Sequence, residues 1–277
     1  MPELPEIETL RRDLEKEVVG RKIKAVEVLG TKVIPRHKAK KPFQERLEGV
    51  KIDGISRKGM WLLLRLGEDV LAFNMGTTSQ IVKAATKEKV SPDTQIVITF
   101  TVGGQLRFID AKATGEAFVT SAEDLDAELP ELKAMGFDPL EDVISWNTFG
   151  AALNREKTRL KQLLMDSKFM AGIGTVYSDE ILWAAGLRYD REASSLTTQD
   201  VRRLHRALLE TLHDGVKYRG VSQPRDAYVD YYGKPGGFGN ELKVVGRDGQ
   251  PCRRCRQSVV KSRYGSKFTY HCGSCQV

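Results

Sequence analysis

Residues 252–275 read CRRCRQSVVKSRYGSKFTYHCGSC. Each CxxC sets two sulfurs on one tight turn, and the sixteen residues between Cys255 and Cys272 suffice for a β-hairpin that brings the two turns together. Zinc takes four tetrahedral ligands, and four thiolates leave no open position for a catalytic water. One structural Zn2+ on Cys252, Cys255, Cys272 and Cys275 is therefore expected. Three other readings stay open: a pair of disulfides, four unbound core cysteines, and His271 replacing Cys272 as a ligand. All four cysteines of the chain fall in this stretch, a usage that suits a reducing compartment. From Pro251 to Val277 there are six Lys and Arg and no Asp or Glu, so the metal-bearing end is also cationic. With a net charge of +7 over 277 residues, this points to a polynucleotide partner, because neutralising phosphates releases their condensed counterions.

Upstream, Gly215 to Gly239 holds six Gly and two Pro among aromatic and charged residues, which reads as a long loop of the functional kind. Before it, helical spacing recurs at 143–153, 156–165, 176–184 and 198–212, with Gly172, Gly174 and Gly186 marking tight connections. Thr175 is positioned to cap the third of these helices. Ahead of about Thr120 the pattern changes to short β segments: KIKAVEVL, MWLLLRL, VLAFNM, TQIVITFT and QLRFIDA. PEIETLRRDLEKEVV (5–19) reads as an opening helix, with Ile7, Leu10, Leu14 and Val18 at helical spacing and Gly20 as its stop. The expected fold is α+β and multidomain: a mostly antiparallel β-sandwich over 1–120, a helical domain over 131–220, a loop and connector over 221–246 and a zinc hairpin over 247–277. No apolar run approaches a membrane span and no secretory leader pattern opens the chain, so a soluble protein of the cytoplasm is expected.

Three separated motifs, MPELPEIETLRRDL, LLMDSKFMAGIGTVYSDEILWAAG and the cysteine hairpin, together resemble the formamidopyrimidine-DNA glycosylase and endonuclease VIII family. The LPE at Leu4 to Glu6 is more similar to the formamidopyrimidine branch. The resemblance implies a helix-two-turns-helix motif in the helical domain, DNA lying between two lobes, and a monomer associated with the nucleoid in a bacterium. It also implies a bifunctional enzyme of base-excision repair, excising a damaged base and then cleaving the backbone at damaged, abasic or unpaired DNA.

The matching nucleophile is Pro2 after removal of Met1. An N-terminal amine titrates near 8, low enough to attack sugar C1′ and form an iminium ion near neutrality. Glu3 matches the acid/base carboxylate beside it and Glu6 a carboxylate that organises the attack. Gly174 and Thr175 match a phosphate-gripping helix start, and Lys157 a lysine directed toward the DNA. Tyr228, Tyr231, Tyr232 and Phe238 fall in the loop that shapes the lesion pocket, where they either stack on a flipped base or pin the loop.

Five positions depart from the family pattern. Met60 stands where a lysine is usual, and Lys58 compensates only if the strand register shifts. Met75 keeps the methionine of the intercalating set, but Lys112 and Thr114 replace its arginine and phenylalanine. Thr175 replaces an asparagine, and Lys267 replaces an arginine, keeping charge without bidentate geometry. These changes keep two further readings alive: a damage-binding paralogue without efficient base excision, and an AP lyase alone.

Overall fold

The computed structural model describes residues 2–222 and 228–277; Met1, whose removal the amine chemistry requires, and residues 223–227, at the centre of the aromatic loop, lie outside the described residues. Two compact units emerge: Met1–Lys133 with Tyr218–Gly239, and Ala134–Lys217 with Asn240–Val277.

The first unit opens with α1 (Leu4–Val18). Its apolar stripe, Ile7, Leu10, Leu14 and Val18, is completely buried, and Gly20 takes the left-handed conformation (φ +85°) that ends it. Eight strands follow: β1 (Ile23–Val28), β2 (Gly54–Lys58), β3 (Trp61–Leu66), β4 (Asp69–Asn74), β5 (Ser79–Ala84), β6 (Thr94–Phe100), β7 (Gln105–Asp110) and β8 (Glu116–Ser121). Short helices α2 (Lys40–Glu45), α3 (Leu125–Glu128) and α4 (Pro130–Lys133) complete the unit. The strands form two antiparallel four-stranded sheets, ordered β1-β6-β7-β5 and β2-β3-β4-β8.

Leu62, Leu64 and Leu66 alternate inward from β3, Ile96 and Ile98 from β6, and all join one core. Phe73 of β4 and Phe108 of β7 stack across the two sheets with ring centroids 5.3 Å apart. Strand β2 escapes a hydrophobicity pattern because one of its two buried side chains is Arg57 beside Ile55.

The second unit carries α5 (Trp146–Leu153), α6 (Leu160–Leu164), α7 (Thr175–Ala185) and α8 (Thr198–Lys217), then the hairpin β9 (Val260–Tyr264) and β10 (Lys267–His271). Ser145 caps α5, its Oγ accepting from Thr148 N at 3.1 Å. Val201, Leu204, Leu208 and Leu212 bury one face of α8. This helix continues to Lys217, so the expected loop from Gly215 starts three residues later: Gly215 itself is buried, and Val216 extends the apolar stripe by one more turn. Helix α7 corrects another expectation. Its N-cap is Gly174, in an extended conformation, with Thr175 already in the first turn, so the threonine does not cap it.

Candidate active site

Pro2 and Glu3 are buried at the start of α1. Glu3 N donates to Glu6 Oε2 at 2.7 Å, closing a capping box. The other oxygen, Glu6 Oε1, accepts from Val221 N at 2.7 Å. Both carboxyl oxygens of Glu6 are thus fixed by backbone amides, one from its own helix start and one from the loop after α8. A Cβ on Gly220, which sits at φ +84°, would come within 2.7 Å of Glu6 Cγ and Oε1 and 3.0 Å of Tyr228 Cε1. Only glycine allows the loop this close to the carboxylate.

The loop is held to α1 a second way. Arg219 bridges Asp13 of α1 and Asp230, with Nε 2.7 Å from Asp230 Oδ2. Asp230 Oδ1 in turn accepts the amides of Tyr232 and Lys234, each at 2.9 Å. Three of the four loop aromatics are buried: Tyr228, Tyr231 and Phe238. Burial, then the charge of Glu6, pushes the Tyr228 phenol far above its ordinary value, so it stays protonated. Tyr232 is exposed and donates to Glu17 Oε1 at 3.2 Å.

Beside α1, Arg57 Nε lies 3.1 Å from Glu8 Oε2 with both side chains buried. Burial alone would raise Glu8, but hydrogen bonds from Arg11, Arg12 and Arg57 outweigh it and hold the carboxyl at about 2. The pairing of Arg57 with Leu62 and Lys58 with Trp61 is regular, so Lys58 faces away from Arg57 and is exposed. No register shift moves Lys58 toward the Met60 position. Met60 is half-buried and packs on the hydrophobic core.

Met75 is buried at 3% exposure in the same core. Lys112 and Thr114 are exposed on the β7–β8 connection. Fully buried Asp110 ties that connection to the one after β4: it accepts from Thr78 Oγ1, from Ser79 Oγ at 2.9 Å, from Gly115 N at 2.7 Å and from Lys112 N at 3.2 Å. Thr114 Oγ1 is occupied locally, accepting from Thr77 N at 3.1 Å. The residues that match the intercalating set therefore sit on two loops sharing one carboxylate hub, a residue the motif reading did not single out.

In the second unit, Gly174 and Thr175 form the start of α7, while Lys157 and Lys267 are exposed. Lys161, not singled out by sequence, is fully buried with Nζ 2.6 Å from Asp179 Oδ1. Asp179 also accepts from Thr269 Oγ1 at 2.6 Å and Tyr270 N at 2.9 Å, and Glu180 accepts the amides of Lys243, Val244 and Val245 at 2.8, 3.0 and 2.9 Å. Burial raises both acids despite these partners. In three dimensions this acidic pair fastens the hairpin and its approach to α7.

The four cysteine Sγ atoms lie within 4.8 Å of one another. Cys252 and Cys275 are 3.9 Å apart and Cys255 and Cys272 3.4 Å, far beyond the roughly 2.05 Å of a disulfide. A tetrahedron with Zn–S of about 2.3 Å has edges of about 3.8 Å, so the donors fit one structural zinc ion with no vacant position. Trp183 Nε1 donates to Cys252 Sγ at 3.4 Å. His271 is not in this cluster; its ring stacks on Tyr189 with centroids 5.1 Å apart.

A sandwich with a buried amino-terminal proline, a helical unit and a four-thiolate hairpin define a zinc-hairpin protein of the helix-two-turns-helix class. The formamidopyrimidine-DNA glycosylase N-terminal domain matches residues 1–117, and the H2TH domain of the same enzymes matches 135–225. Formamidopyrimidine-DNA glycosylase from Pelotomaculum thermopropionicum is 36% identical over all of this chain and 99% of its own length. The MutM (Fpg) protein of Thermus thermophilus superimposes with a TM-score of 0.87 at 32% identity, covering 99% of this chain and 98% of that one. The Lactococcus lactis Fpg protein, in complex with abasic-site DNA, gives 0.89 at 28% identity with 99% of each chain covered. This chain belongs to the formamidopyrimidine-DNA glycosylase family. The relatives named are bacterial, and no helix among the described residues is long and apolar enough to cross a membrane.

Proposed function

We propose that the chain is a bifunctional DNA glycosylase and AP lyase of base-excision repair, with Pro2 as nucleophile once Met1 is removed. The observation that carries the reading is the amino-terminal cluster of buried Pro2, Glu3 and Glu6, with Glu6 held by Val221 N at 2.7 Å. The Pro2 nitrogen bonds to C1′ as the damaged base departs. Protonation of the ring oxygen opens the sugar and leaves an iminium ion, and removal of a C2′ proton then expels the 3′-phosphate. Glu3 serves these proton transfers, and Glu6 orients the amine. The same nitrogen acylated by a retained Met1 is an amide and does not attack. Zinc supplies no chemistry here; it holds the hairpin.

DNA is the substrate because relatives of this length and fold bind it: the Lactococcus protein is known with abasic-site DNA and with DNA containing an N7-benzyl formamidopyrimidine deoxyguanosine. Lys112, Lys157, Lys267 and the amides at Gly174 and Thr175 serve as phosphate contacts; Lys58, in a regular register, does not replace the lysine missing at Met60. Tyr232, the exposed member of its group, contacts the flipped base, while Tyr228, Tyr231 and Phe238 anchor the loop. Met75 would have to leave the core to enter a duplex. The protein acts as a monomer in the bacterial cytoplasm, associated with the nucleoid.

Met60 packed on the core and Thr114 engaged with Thr77 favour a narrower range within this activity. Without an aromatic wedge at Thr114 the unstacking cost of flipping a paired base is less fully offset. Abasic sites and unpaired lesions are therefore processed ahead of paired 8-oxoguanine, and a damage-binding protein without excision is the limit of that trend. Borohydride trapping of protein lacking Met1 on end-labelled abasic DNA, compared with Pro2→Gly, tests the reading. A covalent adduct lost in the variant supports it; DNA binding without an adduct in the wild type overturns it.

A further inference from the structure

A cavity of about 690 Å³ opens in the second unit between the α5–α6 connection, the residues following α7 and the turn of the zinc hairpin. Lys157 and Arg159 line it from the connection and Arg263 from the end of β9. The acid on its wall, Asp190, is held by Arg188 at 2.9 Å. Among the described residues no carboxylate lies within ion-pair distance of Lys157, Arg159 or Arg263, and these three cations converge on one concavity against a single carboxylate, Asp190, which Arg188 and then Arg159 hold low.

The apolar part of the wall is two tyrosines. Tyr189 and Tyr264 meet edge to face, with centroids 6.0 Å apart at 87°. Each is fixed by a further partner: the His271 ring 5.1 Å from Tyr189, and the buried Lys161 ammonium 5.6 Å from the Tyr264 centroid. Both rings are half-buried. Rigid aromatic surface beside clustered cations matches one ligand chemistry, a phosphate joined to a flat heteroaromatic ring, because the cations neutralise the phosphate and the ring stacks. The cavity also has the size typical of small-ligand sites.

We propose that this cavity binds a phosphorylated nucleotide whose base is unpaired, supplied by a single-stranded stretch of the DNA being repaired; the source, though not the ligand chemistry, rests on the DNA-repair reading above. A duplex nucleotide does not qualify, since its base is already stacked and paired. Lys157 is shared with the phosphate contacts of the reading above; Arg159, Arg263, Tyr189 and Tyr264 add a grip on frayed or gapped DNA apart from the amino-terminal chemistry.

The test is fluorescence anisotropy of a labelled, 5′-phosphorylated oligothymidylate with the zinc-loaded full chain and its Tyr264→Ala, Tyr264→Phe and Arg159→Ala variants. Tyr264→Ala is expected to weaken binding about five- to a hundredfold, the range produced by losing one base–aromatic stack. Tyr264→Phe should restore it, and Arg159→Ala should reduce the salt slope by about one. Displacement by thymidine monophosphate at equal nucleotide concentration would assign the site to free nucleotide and overturn the strand source. Unchanged oligonucleotide affinity in Tyr264→Ala, with zinc content intact, would overturn the proposal. So would loss of trapping by both Tyr264→Ala and Arg159→Ala on a short blunt abasic duplex, because the cavity would then belong to the main DNA groove. Wild-type trapping on that duplex reads the proposed lyase activity separately, so failure of one reading is distinguishable from failure of the other.

Discussion

Glu6 Oε1 accepts the Val221 amide at 2.7 Å across 215 positions of sequence, and with the Glu3 amide on Oε2 this bond fixes the Glu6 carboxylate. Its neighbour Gly220, at φ +84°, has no room for a Cβ beside Glu6. Gly220→Ala is expected to cost about 1–3 kcal/mol from the disfavoured backbone conformation and the close contact. Urea unfolding measures that loss. The proposed role of Glu6 adds a second readout: borohydride trapping should fall further than the unfolded fraction explains.

The buried Arg57–Glu8 pair makes a pH prediction. Glu8 is held at about 2 in the folded chain against an ordinary value of 4.5, so the unfolded state binds the proton first as pH falls. The contribution of Glu8 to stability is complete above about pH 4.5 and is lost progressively as pH drops toward 2. Arg57→Ala removes the buried partner but leaves Glu8 paired with Arg11 and Arg12, so it is expected to cost about 1–3 kcal/mol at neutral pH, the cost of losing a hydrogen bond to a charged group. It should also make the acid limb between pH 4.5 and 2 shallower, though not abolish it, because Arg11 and Arg12 still hold Glu8 low; denaturant midpoints across that window measure the change.

Glu180 satisfies three consecutive backbone amides from Lys243, Val244 and Val245. Glu180→Ala leaves those donors without their partner, at about 1–3 kcal/mol for each one that water fails to reach. Hydrogen exchange at residues 243–245 should accelerate. Exchange in β3 and β4 of the first unit should stay unchanged.

Thr114→Phe supplies an aromatic side chain where the hydroxyl now bonds Thr77. If the wedge is what limits paired substrates, excision from a paired lesion should rise while trapping at an abasic site stays level, shifting the ratio of the two rates. An unchanged ratio would remove Thr114 from the account of substrate range.

Helix α1 was legible because its stripe repeats at 3.6 residues and four apolar positions are buried as spaced. The cysteine site was legible because CxxC is a local geometry that already brings sulfurs together in pairs. Strand β2 was not, since Arg57 occupies an inward position that a hydrophobe usually fills. Asp110, Lys161 and Arg219 were also invisible: each satisfies at least one partner far away in sequence, Asp110 joining the local amides of Lys112 and Gly115 to Thr78 and Ser79, and nothing in the spacing of a lone charged residue announces a buried partner.

Sequence by itself determined the α+β architecture, the four zinc ligands and the resemblance to one family, because periodicity, short-range spacing and motif order are properties of the chain read in one dimension. Tertiary structure alone decided that Gly220 and Val221 close on Glu6, that Asp179 and Glu180 fasten the zinc hairpin and its approach, and that Met60 serves the core. These are contacts between distant segments, fixed by burial and by the need to satisfy every buried polar group, and they exist only once the chain has closed on itself.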